Sequence, residues 1–375
     1  MGCLLSIVVP TKNRYDYLKY FIANLQRINS SDFELVIQDN SDDNSEFSKY
    51  VESLQIDWIK YYYNASNLSI SENSDLAILN SSGEYVCYMG DDDGVTSDIV
   101  DWVHWMKTNS VDTIKSSIIT YYWPDTKPGR HFNNAGRLQY RRYKGRTRFY
   151  DPQVELVNVL KSGCLNLGLI PLVYHGIVKR KCLDVCYDQC GTYFPAPCPD
   201  IANGVAMSLI VKKYAIIDKP IFISGASKHH GGKVAIKDRY LRLQDMFWMS
   251  EEEKNSWDSR VPKFGLGECI YANSALIALK NMHHSELEEK LIFEKNYACT
   301  ICAYPELKNE VLQLSKKKSR VLYYSLLNLV DKLMQKAKSV MTIVFGISIN
   351  YINTGFFQTI NDAILYIEKD AKNRM

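Results

Sequence analysis

Three carboxylates in a row, Asp91, Asp92 and Asp93, follow the apolar run at residues 83–89. Adjacent like charges at the end of a buried strand repel one another and cost stability unless something positive sits among them. A divalent cation meets that need. Mg2+ or Mn2+ takes hard oxygen ligands, and Mg2+ keeps several waters while one or two carboxylates and substrate phosphates complete its shell. The competing reading is a solvated acidic turn. A second acid, Asp39, ends the apolar run 33–37 in the polar cluster Gln38-Asp39-Asn40-Ser41-Asp42-Asp43. A carboxylate there can accept the N3 hydrogen of a uracil ring, with the loop Pro10-Thr11-Lys12-Asn13-Arg14 closing on the same base and its ribose. A capping Asx turn is the alternative. A third acid, Asp200, heads the apolar helical pattern 201–211, either as its N-cap or as a side chain turned to a cleft. His229 and His230, beside Gly231-Gly232, offer a phosphate contact or a metal ligand from a loop, against the reading of a plain exposed loop.

The elements that must position these groups alternate regularly through the first hundred residues. Residues 5–9 are β-branched and nearly continuous, as a strand covered on both faces should be. Helical stripes through Tyr17, Leu18, Phe21, Ile22 and Leu25, through 46–54 and through 71–80 separate it from strands at 33–37, 58–62 and 83–89. That order implies right-handed βαβ crossovers and a parallel sheet, whose ligands bind beyond the carboxyl ends of the strands. The polar clusters lie at those ends. Residues 111–150 read as strand material followed by an Arg- and Tyr-rich excursion, a flap or hairpin over the cleft, with a helix at 154–160 and a short strand at 177–178 to follow. From about residue 240 the pattern becomes one of amphipathic helices without β-rich runs, which sets the expected division at 1–239 and 240–375.

Composition bounds the partners. The 375 residues carry 45 Lys and Arg against 42 Asp and Glu, a net charge of +3, too small for the field of a nucleic-acid binder. No nucleic acid is expected. Basic residues do cluster, at 137–148 and at Lys316, Lys317, Lys318 and Arg320, and each cluster reads either as a solvated face or as a contact for phosphate or anionic lipid. The 26 tyrosines suit surfaces that grip sugars or nucleotides. Cys182, Cys186 and Cys190 share a helix face if that segment is helical, and Cys299 with Cys302 forms a lone CxxC; buried thiols explain them better than zinc, which needs four ligands. The first residues carry no secretory leader pattern, so reduced thiols and a cytoplasmic location are expected. The apolar run 341–347 falls short of a membrane span and either packs inside or lies on a bilayer surface.

Taken in order, Ser6-Ile7-Val8-Val9-Pro10-Thr11-Lys12-Asn13-Arg14, Gln38-Asp39-Asn40-Ser41-Asp42-Asp43 and Gly83-Glu84-Tyr85-Val86-Cys87-Tyr88-Met89-Gly90-Asp91-Asp92-Asp93 resemble the nucleotide-binding half of the family-2 glycosyltransferases of GT-A fold. The resemblance is strong over the first hundred residues and weak to about residue 225. It implies a mixed α/β sheet flanked by helices, followed here by the helical C-terminal region. It implies that Pro10, Thr11, Asn13, Arg14, Asp39 and Asp91 bind the nucleotide, with Asp39 at the base, and that Asp92 and Asp93 hold Mn2+ or Mg2+. Many relatives have an acid where this chain has Gly90, so the acidic cluster is shifted by comparison. Relatives place a catalytic base at the head of a later helix, often as Glu-Asp; here Pro199 replaces the first acid and Asp200 occupies the second place.

The activity so implied is a single displacement with inversion. Asp200 takes the proton of an acceptor hydroxyl as it attacks the anomeric carbon, and the metal offsets the charge of the leaving nucleotide diphosphate. The same resemblance implies a UDP-sugar donor, while the basic and amphipathic segments suggest a glycan or lipid-linked glycan acceptor in bacterial surface polysaccharide synthesis, with peripheral contact at the inner membrane face. Two alternatives stand beside it. A nucleotidyltransferase would share the fold logic, but it wants an early glycine-rich loop with a basic residue, and residues 10–14 lack glycine. A catalytically inactive sugar-nucleotide or glycan binding module in an assembly complex would keep the site and lose the turnover.

Overall fold

The computed structural model describes residues 3–126, 134–228, 241–246, 249–345 and 352–374. Strand β1 (Leu5–Thr11) is followed by α1 (Tyr15–Leu25), β2 (Phe33–Asp39), α2 (Ser45–Leu54), β3 (Ile59–Tyr63), α3 (Ile70–Leu79) and β4 (Tyr85–Tyr88). Every residue of β2 is buried, and β1 exposes only part of Pro10, as the continuous apolar runs require. β3, which alternates partly and fully exposed positions, lies at the sheet edge. A capping box starts α3, in which the Ser69 hydroxyl accepts the Glu72 amide and the Glu72 carboxylate accepts the Ser69 amide. β3, β2, β1 and β4 run parallel, so residues 11, 39 and the turn after 88 emerge at one edge.

The middle of the chain contributes β5 (Gly94–Val95), α4 (Ile99–Thr108), β6 (Thr113–Ser116), β7 (Ile119–Tyr122), β8 (Arg137–Tyr140) and β9 (Thr147–Tyr150). It continues through α5 (Pro152–Lys161), β10 (Gly176–Lys179), α6 (Arg180–Cys190), α7 (Pro199–Ile210), β11 (Tyr214–Ile217) and β12 (Phe222–Ala226). Asp151 caps α5 by accepting the amides of Gln153 and Val154, with Pro152 at its first position. The large sheet has the order β3-β2-β1-β4-β10-β6-β11-β9, and β10 and β9 run antiparallel to their neighbours. The sheet is therefore mixed and flanked by helices, as the α/β expectation has it. The Arg- and Tyr-rich excursion begins as a hairpin, β7 pairing antiparallel with β8. Cys182 and Cys186 are buried on α6, where Cys182, Cys186 and Cys190 share a helix.

After residue 240 come α8 (Glu251–Asn255), α9 (Gly267–Asn281), α10 (Phe293–Ala303), α11 (Lys308–Leu314) and the long α12 (Lys318–Phe345). Amphipathic helices are what the pattern after residue 240 leads one to expect; residues 243–245 and 285–290 form tight 3-10 turns ahead of the regular helices that begin at Glu251 and Phe293. The last stretch differs from an all-helical reading. β13 (Ile352–Phe356) pairs antiparallel with β8, and α13 (Ile360–Arg374) packs on α1 and β5. The cause is a second apolar stripe, in which Ile360, Ala363, Ile364, Ile367 and Ala371 are all buried beside Ile119, Leu138 and Ile223. A small second sheet of order β13-β8-β7-β12-β5 results.

Candidate functional site

The acidic turn sits between β4 and β5 with all three carboxylates buried, at 5%, 4% and 1% exposure for Asp91, Asp92 and Asp93. Burial of three acids demands positive charge and donors, and the chain supplies both. Arg14 spans the first two: its Nε lies 2.9 Å from Asp91 Oδ1 and its Nη2 2.7 Å from Asp92 Oδ2. The Thr11 hydroxyl, at the end of β1, donates to Asp91 Oδ2 at 2.8 Å. Ser227, just past β12, donates its hydroxyl to Asp92 Oδ2 at 2.6 Å and accepts from Arg14 at 2.9 Å. Burial, reinforced by Asp92 and Asp93 and opposed by Arg14 and Thr11, holds the Asp91 carboxyl up at about 7. Burial works against the charge on Arg14, but Asp91 and Asp92 outweigh it and keep the guanidinium protonated.

Asp93 is placed differently. Its Oδ2 accepts the Gly90 amide and His175 Nε2, each at 2.7 Å, and its Oδ1 accepts the Gly225 amide at 2.7 Å. Burial alone would raise this carboxyl, yet His175 and the two amides hold it below the usual value. Three donors therefore claim a fully enclosed carboxylate, and Asp93 ties the turn to β12 and β10, where the sequence reading had made it a metal ligand. His175 itself is buried just ahead of β10, with its ring stacked on Tyr174 and a left-handed backbone at φ +51°. Sequence reasoning passed it over, since a lone His before Gly176 carries no periodic or motif signal. Gly225 has a visible reason to be glycine: a Cβ there would stand 1.8 Å from the Asp92 carbonyl oxygen.

Asp39, at the end of β2, is fully buried beneath two tyrosines. Its Oδ2 accepts Tyr15 Oη at 2.8 Å and Tyr61 Oη at 2.6 Å, and its Oδ1 accepts the Ser41 amide at 2.9 Å. Burial and then the hydrogen bond to Asp39 raise the Tyr61 phenol, which stays a donor at neutral pH. The Asx turn to Ser41 exists, so the capping alternative describes part of what Asp39 does. The Pro10 to Arg14 loop is stitched to the neighbouring loop. Asn13, at φ +58°, donates its backbone amide to the Ser41 hydroxyl at 2.7 Å and its side-chain amide to Asp42 at 2.8 Å. Pro10 stays within β1 opposite Gln38, and Lys12 points outward to Asn40 and Asn67. Tyr15 and Tyr61 were not singled out from sequence; aromatic abundance alone did not say which rings turn inward.

Asp200 is the second residue of α7, whose N-cap is Cys198, so the N-cap reading is set aside. It shares the surroundings of the acidic turn. Tyr88 and Tyr174, partly buried and in edge-to-face contact at 5.6 Å, both have phenols raised first by burial and then by nearby carboxylates. Those carboxylates include Asp200 together with Asp91 and Asp93 at Tyr88, and with Asp92 and Asp93 at Tyr174. His229 and His230 lie outside the described residues.

Residues 6–162 match the model of glycosyl transferase family 2. Over this segment, somewhat less than half of its length, the chain is similar to glycosyltransferase family 2. The matched family-2 segment contains the β1, β2 and β4 ends and the whole acidic turn. A curated relative, the GalNAc(5)-diNAcBac-PP-undecaprenol beta-1,3-glucosyltransferase of Campylobacter jejuni, is 34% identical over 97 residues, which are 25% of this chain and 31% of the relative. The match thus spans about a third of that protein. Among solved structures, residues 1–349 of S. aureus TarS in complex with UDP-GlcNAc match at 16% identity and TM-score 0.48, covering 92% of this chain and 93% of that one. GalNAc-T7 with UDP, GalNAc and Mn2+ matches at 10% identity and TM-score 0.40, covering 60% and 44%.

Proposed function

We propose that this chain is an inverting glycosyltransferase that moves a sugar from a UDP-sugar to a hydroxyl of a glycan, lipid-linked in surface polysaccharide synthesis, at the inner face of the membrane. The observation that carries the reading is the convergence of Thr11 and Arg14, Asp39, and Asp91 and Asp92 at one edge of a parallel sheet, within electrostatic reach of Asp200. The curated relative is named for glucose transfer to an undecaprenol-linked glycan, which supports the acceptor class.

A divalent cation fits this edge in one form only. Among the described residues no three His, Cys, Asp or Glu side chains form a ready-made site. Asp92 and Asp91 supply hard carboxylate oxygens, enough for a cation that takes its remaining ligands from diphosphate and water. When bound, that cation would offset the charge gathering on the departing diphosphate. The protein's own groups do the rest. Arg14 holds the two carboxylates in register and offers a guanidinium to phosphate. Tyr15 and Tyr61 fix the Asp39 carboxylate at the end of β2, where the base is expected. Asp200, partly exposed at the start of α7, takes the acceptor proton.

The decisive experiment compares wild type with Asp200→Asn in UDP affinity by calorimetry with Mn2+ and in slow UDP-sugar hydrolysis or transfer. Turnover should fall about 10³-fold while affinity changes less than about twofold. Equal losses of binding and rate would remove the base assignment. Wild-type binding without turnover across donors and acceptors would favour a binding module, and UDP affinity unchanged by EDTA would remove the metal.

A further inference from the structure

Among the described residues α12 packs on α10 along one side, through buried Val321 and Ser325, with Lys332 donating to the Cys302 carbonyl at 2.9 Å. Its opposite side is apolar and open: Leu322, Leu326, Leu329, Val330, Leu333 and Met334 are each 45–65% exposed. At 3.6 residues per turn these positions fall within an arc of about 140° pointing away from α10. A contiguous apolar face of this breadth marks an interaction surface. Its borders carry charge of one sign. Lys318 and Lys336 flank one margin of the arc and Arg320 the other, and residues 316–337 hold six basic side chains against the single acid Asp331.

That charge decides between occupants. A second copy would bring the same excess of positive charge to a shared apolar seam, and like charges at its rim would oppose pairing. An anionic bilayer meets both features at once, since headgroup phosphates sit level with the lysines while acyl chains receive the leucines. We infer that the outer face of α12 is a docking surface for an anionic lipid bilayer, on which the helix lies in the plane of the membrane. No helix among the described residues is long and apolar enough to cross a membrane, so the contact is one of lying on the surface. The inference deepens the peripheral placement proposed above, and its test reads partitioning, so its failure and that of the catalytic reading are told apart.

The full chain is floated with vesicles of phosphatidylcholine alone and of phosphatidylcholine containing one third phosphatidylglycerol. Wild type should partition at least tenfold more strongly to the anionic vesicles. Leu326→Glu with Leu333→Glu should remove binding to both, while the thermal midpoint and far-UV dichroism stay as in wild type because both side chains are exposed. Lys316→Glu, Lys317→Glu and Lys318→Glu together should abolish the preference for anionic lipid. Equal partitioning of wild type to the two vesicle types, or unchanged partitioning of the double leucine variant, overturns the assignment. So does a wild-type oligomer in lipid-free light scattering that the leucine variant splits into monomers, which would give the face to a second copy.

Discussion

Replacing His175 with Ala should destabilise the fold and loosen the proposed nucleotide site together. His175 Nε2 and Asp93 Oδ2 approach to 2.7 Å with side-chain exposures of 5% and 0%, so water cannot replace the lost partner. Breaking a buried ion pair by removing one member costs about 3–5 kcal/mol. The Gly90 and Gly225 amides still hold Asp93 in the variant, which argues for the lower end, about 3 kcal/mol. The left-handed backbone at residue 175 adds little, because His and Ala both carry a Cβ and meet much the same steric penalty. The assay is urea unfolding at pH 7 for wild type, His175→Ala, Asp93→Asn and the double variant, with UDP affinity measured in parallel. Asp93 is depressed below the ordinary value of 3.8, so its contribution is present above that value and is lost only as pH falls through the lower folded one. A single-variant cost below about 1 kcal/mol, with a coupling energy near zero in the cycle, would refute the reasoning. A full stability loss with unchanged UDP affinity would separate the pair from the site.

Two further outcomes follow from buried groups. Lys115 is 8% exposed, and burial pushes its ammonium down from 10.5 to about 8. The folded chain therefore pays for the charge at pH 7, and stability should rise with pH between about 8 and 10.5 as the folded form sheds the proton first. The gap corresponds to about 3 kcal/mol, and Lys115→Met should recover about 2 kcal/mol of it at pH 7 after the hydrogen bond to the Ile170 carbonyl is lost, and should flatten the alkaline rise seen in thermal melts. Gly225→Ala should cost about 2 kcal/mol or more, because the added Cβ meets the Asp92 carbonyl at 1.8 Å, and UDP affinity should fall with stability; a variant as stable as wild type would mean that β12 can move away freely.

The strand ends were legible because each apolar run stops abruptly at a polar cluster, and a buried parallel sheet leaves only its carboxyl edge for such clusters. Thr11, Asp39 and the turn at 91–93 were found that way. What was not legible depends on contacts far apart in sequence. Asp93 faces inward only because β10 and β12 bring His175 and Gly225 to it, 82 and 132 residues on. Asp39 is covered because Tyr15 and Tyr61 come from a helix and an edge strand on either side of β2. The return of β13 and α13 was hidden for a related reason. The α13 stripe announces a buried helix face, but nothing local says that the face belongs to α1 and β5 and not to the helices preceding it.

Arg14 then becomes the residue on which the acidic turn's chemistry depends. A guanidinium within 3 Å of both Asp91 and Asp92 lowers the negative potential that would attract a free cation, and the same guanidinium attracts diphosphate. The two effects have opposite signs, so one substitution separates them. Arg14→Gln keeps a hydrogen-bond donor near the carboxylates but removes the charge. Calorimetry with Mn2+ alone should show tighter binding to the variant, by about tenfold for one unit charge removed near a partly buried site. UDP without metal should bind more weakly by a similar factor, since a charge-assisted contact of about 1.5–3 kcal/mol is lost. If Mn2+ binds the variant no better, Arg14 does not compete for the carboxylates. If UDP affinity is also unchanged, its ion pairs serve the fold, and the cleft edge must find its phosphate contact elsewhere.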